Sequence, residues 1–161
     1  NRIAGIGAGG ALSIGAALGN LSLGKKTISV LGDGDFMMGG NSIWTAVKHK
    51  IPLMIIINNN QSYFNDELHQ ETIAVRRERP PQNRWIGQRI ADPDLDFAKF
   101  VEAQGTVGIG PVKTPAELDA AIKRGVDILK KGGIFFDKIF IAWFLCAFLY
   151  VGKNGASTFF L

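Results

Sequence analysis

The sequence predicts an α/β domain of three layers built on a mainly parallel sheet, and three observations carry that prediction. Short apolar, β-branched runs alternate along the chain with segments of helical periodicity. One run, Leu53 to Ile57, is apolar at every position, the form taken by a strand covered on both faces. The intervening helical segments carry recognisable caps and stops, and crossovers between parallel strands are right-handed.

In chain order, the small apolar stretch 10–19 (GALSIGAALG) predicts a tightly packed helix, and Lys26 to Leu31 a strand that ends at Gly32. Residues 36–50 place Phe36, Gly40, Ile43, Trp44 and Val47 at helical spacing, with Trp44 expected in the core. Pro52 then opens the strand at Leu53 to Ile57. Asp92-Pro93 reads as a cap and first position for a helix over 93–104, stopped by Gly105. Thr114-Pro115-Ala116-Glu117 is a capping box opening a helix to about Lys131, which Gly132-Gly133 ends before a last strand begins at Ile134 to Phe136.

A chain of 161 residues that is 47% hydrophobic and 20% charged is large enough for one core and too apolar to be disordered. Its single cysteine, Cys146, excludes a disulfide framework or a cysteine-based zinc cluster and points to a reducing compartment, the cytoplasm by default. The net charge of +4 singles out no partner. Its clearest basic cluster, Arg76, Arg77, Arg79, Arg84 and Arg89, is broken by Glu78, two prolines and Trp85, and reads as a solvated loop rather than a nucleic-acid surface. Trp85 itself is expected to pack beneath that loop. The chain opens without Met or a secretory leader, and the expectation is a piece of something longer.

The residues that carry chemistry stand at the carboxyl ends of the first two strands: Gly32-Asp33-Gly34-Asp35 after one, Asn58-Asn59-Asn60 after the other. In a strand, helix, strand unit both ends reach the same edge of the sheet, where open α/β folds bind ligands. A carboxylate from Asp33, an amide oxygen from Asn60 and the main-chain carbonyl two residues on are hard oxygen donors, suited to Mg²⁺ or Ca²⁺. So few protein ligands leave positions for phosphate oxygens and water, as Mg²⁺ prefers. Glycines on both sides of Asp33 let a bulky anion approach the backbone, and the helix that follows turns its first N–H groups towards it.

GDG, then 24 residues, then NN, in the setting GDGDFMMGGNSIWTAVKHKIPLMIIINNNQSYFNDELHQE, resembles the cofactor motif of thiamine diphosphate-dependent enzymes. The resemblance runs from about Gly5 to Gly133 and is to the diphosphate-binding domain of the acetolactate synthase, benzoylformate decarboxylase and pyruvate decarboxylase group, acetolactate synthase-like members above all. It implies the thiamine diphosphate-binding fold, and Mg²⁺ held by Asp33, the side-chain oxygen of Asn60 and the main-chain oxygen of Ser62. It further implies that Gly32, Gly34, Asp35 and Asn59 line the diphosphate, with Ile6 as the large apolar residue pressed under the bent cofactor. The implied reaction is decarboxylation of a 2-oxo acid, transfer of the resulting two-carbon unit, or both. The activating glutamate of the family comes from a pyrimidine-binding domain, on the same longer chain or on a separate subunit, usually across an oligomer interface. No catalytic residue is assigned here, and the chain alone is expected to be inactive.

Two other readings compete. Gly5-Ile6-Gly7-Ala8-Gly9-Gly10 satisfies the dinucleotide-binding pattern of a Rossmann domain, but too few residues precede it for the required strand, and the asparagine run goes unexplained. A non-catalytic remnant of a thiamine diphosphate enzyme is the other. His49, near a helix end, and His69, in an expected polar loop, receive no role. Residues 1–138 are expected to be the cofactor-binding domain. Residues 139–161, opening with IFIAWFLCAFLYV, are expected to be an atypical hydrophobic tail, too short to span a membrane.

Overall fold

A computed structural model of the chain describes residues 6–131 and the backbone of a strand at 139–145. The elements are α1 (Gly9–Leu21), β1 (Ile28–Gly32), α2 (Asp33–Gly39), a 3-10 turn (Gly40–Ser42), α3 (Ile43–Lys48), β2 (Leu53–Asn59), α4 (Phe64–Arg76), a second 3-10 turn (Pro81–Asn83), α5 (Phe97–Glu102), β3 (Val107–Val112), α6 (Pro115–Lys130) and β4 (Ile139–Leu145). The sheet runs in the order β1-β2-β4-β3 with every pairing parallel. All strand ends that precede helices therefore open at one edge.

The three layers follow from β2. Leu53, Ile55 and Ile57 point to one face, where they join Ile14 and Ala17 of α1, Phe36 of α2, Ile43 and Ala46 of α3, and Phe97 and Val101 of α5. Met54 and Ile56 point to the other face, towards Leu118, Ala121, Ile122 and Leu129 of α6. Each of Leu53, Met54, Ile55 and Ile57 is wholly buried, and full burial of one such side chain contributes roughly 1.5–3 kcal/mol. The apolar run is thus the seam of two cores.

The capping box of α6 forms as expected: Thr114 Oγ1 accepts from Glu117 N at 3.2 Å, and Glu117 Oε2 accepts from Thr114 N at 3.2 Å. The helix expected over 93–104 is shorter and starts later, because Asp96 rather than Asp92 caps it, accepting from Lys99 N at 3.0 Å. The helix expected over 36–50 is split in two by the turn at Gly40–Ser42. That break shifts the phase, so Ile43 and Ala46 face the core while Trp44, expected to be buried, stands 54% exposed with Lys48 Nζ 4.8 Å from its ring centre.

Two elements carry no apolar signal in the sequence. In α4 the only buried side chain is Glu67, so hydrophobic periodicity is absent and His69, expected in a loop, lies on an exposed turn of helix. In β3, Gly108, Gly110 and Pro111 obscure a strand that a bulge interrupts after Ile109 and that lies at the sheet edge, where proline is tolerated.

The expected strand at Ile134 to Phe136 falls outside the described residues. The strand that completes the sheet is β4, within the run expected as a tail. Its backbone pairs with β2 from Leu53↔Ile139 to Asn59↔Leu145 and with β3 on its other side, so the sheet does not stop at residue 138. An unbroken apolar run is the usual sequence of an interior parallel strand, which accounts for IFIAWFL without an added tail. Ending the chain after Lys138 is therefore expected to abolish cooperative unfolding, measured by far-UV circular dichroism during thermal melts. A truncated protein that melts like the full chain would show that 139–145 do not hold the sheet together.

Candidate functional site

Asp33 follows β1 directly as the first residue of α2, and Gly32, the N-cap, is extended (φ −75°, ψ 154°). This placement buries the Asp33 carboxylate to 2% exposure at the carboxyl edge of the sheet. Burial pushes its pKa up from the ordinary carboxylate value, against the amide N–H groups of Gly34, Gln61 and Ser62, which pull it the other way. Its Oδ2 is buried and accepts no hydrogen bond from the described residues. A buried acceptor is expensive to leave unpaired, and more so when it carries charge.

The second half of the site is the turn after β2. Asn59 Oδ1 accepts from Gln61 N at 2.9 Å, and Asn60 Oδ1 accepts from Ser62 N at 3.0 Å, two successive side-chain-closed turns that asparagine favours. Asn59 is 2% exposed and shapes the turn from inside, whereas Asn60 is exposed. A strap at residues 88–90 fixes the far side: Tyr63 N donates to Gln88 O at 2.9 Å and Ile90 N to Gln61 O at 2.8 Å, bracketing an antiparallel bridge between Ser62 and Arg89. In extended backbone the groups of alternate residues point to opposite sides, so the Ser62 N–H and carbonyl point away from the strap. Asp33 Oδ2, Asn60 Oδ1 and the Ser62 carbonyl are all oxygens, the donor type that could hold a hard cation. Among the described residues no group of three or more His, Cys, Asp or Glu could do so.

Around this set the glycines have distinct reasons. A Cβ on Gly34 would lie 2.5 Å from the ring of Tyr63, and one on Gly39 would lie 2.0 Å from Gly7 O. At Gly32 a Cβ would meet nothing within 4 Å, and the backbone there suits any residue. Neither packing among the described residues nor backbone conformation requires glycine at 32. The open space lies beside Asp33, where a bulky ligand would need it. Gly7 N donates to Asp35 Oδ1 at 2.6 Å, which ties the amino-terminal turn to α2 and brings Ile6, 61% exposed, to the same edge. The structure thus gathers Ile6 and residues 32–35 and 59–62, and gives Asp35 a partner within the chain.

Sequence reasoning overlooked Glu67. It is 2% exposed, and its carboxylate accepts from Ser62 Oγ, lies 3.5 Å from Arg89 Nε through Oε1 and 3.8 Å from Arg84 Nε through Oε2. Arg84 also pairs with Glu71. The basic segment, expected to be a solvated loop, is anchored on α4 through these two arginines. Trp85 is 48% exposed and, with Glu67, Glu71, Arg84 and Arg89, lines a surface cavity of about 440 Å³. A single buried acid in a polar helix is a signal only once its partners are seen.

A parallel sheet with an orphaned carboxylate and an asparagine turn at its carboxyl edge defines a domain that binds a ligand at that edge. The family model for the C-terminal, TPP-binding domain of thiamine pyrophosphate enzymes matches residues 2–137, and the chain belongs to that family. It is 33% identical over 103 residues, 62% of this chain, to a probable pyruvate decarboxylase of Schizosaccharomyces pombe, and 28% identical over 115 residues, 71% of this chain, to an acetolactate synthase of Bacillus subtilis. These matches span 16% and 18% of those relatives' own length. The fold is shared with a thiamine diphosphate-dependent 4-hydroxybenzoylformate decarboxylase of Rhodococcus jostii, with a TM-score of 0.57 and 24% identity over 87% of this chain and 23% of that one. The family match displaces the Rossmann reading: the amino-terminal glycines pack against α2, as the contact of Gly39 with Gly7 shows.

Two outcomes follow from this geometry. Gly34→Ala, forced against Tyr63, is expected to destabilise the protein by roughly 1–3 kcal/mol in denaturant titrations, as overpacking does, while Gly32→Ala leaves stability unchanged. Equal effects would contradict the packing described. An acid with a raised folded pKa contributes stability that is full below its unfolded value, about 3.9, and is lost as the pH climbs through the folded value. Metal-free protein should therefore lose this contribution on the way to neutral pH. Asp33→Asn, equal in shape and uncharged, is expected to melt at the same or a higher temperature than wild type at pH 7. A clearly lower melting temperature would contradict the burial argument.

Proposed function

We propose that the chain is the diphosphate-binding half of an enzyme that uses thiamine diphosphate and Mg²⁺ to decarboxylate a 2-oxo acid, to transfer the resulting two-carbon unit, or both. The observation that carries the reading is the buried, unpartnered Oδ2 of Asp33 beside the Asn60–Ser62 turn. A cation there satisfies the orphan oxygen and separates its charge from that of a diphosphate. Asp33, Asn60 Oδ1 and the Ser62 carbonyl are its protein ligands; Gly32 leaves the anion room, and Gly34, Asp35 and Asn59 line it. Asn59 acts by holding the turn through Gln61 N, and Asp35 by holding the amino-terminal turn through Gly7 N. Ile6 supplies an exposed apolar surface at the same edge.

When bound, the cofactor supplies the acidic thiazolium carbon and the electron sink that decarboxylation requires. This chain's residues bind and orient it. The acid that activates the cofactor belongs to a pyrimidine-binding domain, on the same longer chain or on a partner subunit, in a complete enzyme that is a homo-oligomer of the cytoplasm. Support for the reaction class comes from the probable pyruvate decarboxylase and the acetolactate synthase among the relatives. Among the described residues no helix is long and apolar enough to cross a membrane.

In the complete enzyme, Asp33→Asn and Asn60→Ala are each expected to weaken thiamine diphosphate binding in the presence of Mg²⁺ by about 10-fold or more, the scale on which metal-supporting groups act. Isothermal titration decides it, and wild-type affinity in both variants would overturn the site. The chain alone is expected to give no turnover of pyruvate in a coupled decarboxylation assay. Measurable turnover by chain purified free of host enzymes would refute the shared site.

A further inference from the structure

We propose that Glu67 is a positioning residue for the metal: by accepting from Ser62 Oγ and pairing with Arg89 of the strap it steadies the turn that presents the Ser62 carbonyl, and Arg84 and Arg89 hold Glu67 in place. The inference rests on the Mg²⁺ site proposed above and concerns residues that lie behind it.

Three observations converge on Ser62. Its Oγ donates to Glu67 Oε1, and both side chains are buried, at 6% and 2% exposure. Its N–H is closed onto Asn60 Oδ1, so the side chain of one ligand fixes the backbone of the next. Its neighbours Gln61 and Tyr63 are bonded to the strap at 88–90, which carries Arg89 back to the carboxylate of Glu67. The peptide of Ser62 is thereby held on both flanks and at its side chain. Its carbonyl shares a peptide plane with Tyr63 N–H, so the bond to Gln88 O turns that carbonyl away from the strap.

Glu67 is suited to this part because its own oxygens are taken. Buried carboxylates are retained when charge and hydrogen bonds compensate them, and here a hydroxyl and two guanidinium groups do so. The arginines come from the basic segment, one beside the second 3-10 turn and one on the strap. The acid on α4 thus joins the strap to the metal turn, in the way outer hydrogen-bond partners orient metal ligands elsewhere. Loss of the Glu67 charge removes the carboxylate that pairs with Arg89 and leaves Arg84 its pair with Glu71, and an amide in its place has one oxygen where the carboxylate has two.

The test uses the complete protein carrying this chain, stripped of metal, with Mn²⁺ as the probe at saturating thiamine diphosphate and free Mn²⁺ read by electron paramagnetic resonance. Glu67→Gln and Ser62→Ala are each expected to raise the Mn²⁺ dissociation constant about 10-fold or more, and the double variant to do no worse than the weaker-binding single. Ser62→Thr, which keeps the hydroxyl, is expected to restore affinity to near wild type, and metal-free Ser62→Ala to melt within a few degrees of wild type. If Glu67→Gln fails to fold, Ser62→Ala and Ser62→Thr decide alone. Wild-type Mn²⁺ affinity in Ser62→Ala, additive losses in the double variant, or failure of Ser62→Thr to rescue would overturn the inference. Asp33→Asn separates the two levels: if it too binds Mn²⁺ as wild type does, the metal site itself is wrong, whereas loss there with wild-type affinity in Ser62→Ala removes only the part given to Glu67.

Discussion

A carboxylate that is buried and lacks a partner for one oxygen is the constraint on which the rest of this structure turns. Asp33 cannot move outward, because it is the first residue of α2 and its neighbour Gly34 is closed against the Tyr63 ring. Nor do its partners among the described residues neutralise it, for they are backbone N–H groups. Burial raises its pKa, a standing cost at neutral pH. Such a site makes physical sense when something from outside completes it, and in the function proposed here that is a cation held with oxygens of the Asn60–Ser62 turn.

The remainder of the fold holds the opposing donors still. The apolar run of β2 lies between two cores, so the sheet edge at Asn58–Asn60 is placed by buried side chains on both faces. From that edge the asparagine turn projects Ser62, and the strap and α4 hold Ser62 from behind. Apolar packing positions the strand end to within a residue, and polar bonds then set the direction of single oxygen atoms. The first step tolerates exchange of one aliphatic residue for another; the second depends on particular groups.

That division explains which features could be read from the sequence. The alternation of elements, the burial of Leu53 to Ile57, the capping box at Thr114 and the pairing of GDG with the asparagine run all write themselves in residue type and spacing. What stayed hidden depends on contacts between distant segments. Helix α4 buries an acid instead of an apolar stripe; the arginines at 84 and 89 look solvated until Glu67 is found between them; and Trp44 leaves the core because a turn at 40–42 shifts the helical phase. Within the run expected as a tail, the backbone of 139–145 pairs with β2 as a strand, a role its unbroken apolar sequence also fits, while 146–161 lie outside the described residues. Asp35, expected beside the cofactor, is found bonded to Gly7 N, a contact 28 residues apart that no local pattern announces.

The central claim is that one cation sits between Asp33, Asn60 and Ser62 and carries the diphosphate. The most direct measurement is a crystal structure of the complete protein with thiamine diphosphate and Mn²⁺, using anomalous scattering to locate the metal. The account predicts one anomalous peak at bonding distance from Asp33 Oδ2, Asn60 Oδ1 and the Ser62 carbonyl, bridged to the diphosphate. A peak at any other group of residues, or cofactor bound with Asp33 Oδ2 still unpartnered, would contradict it.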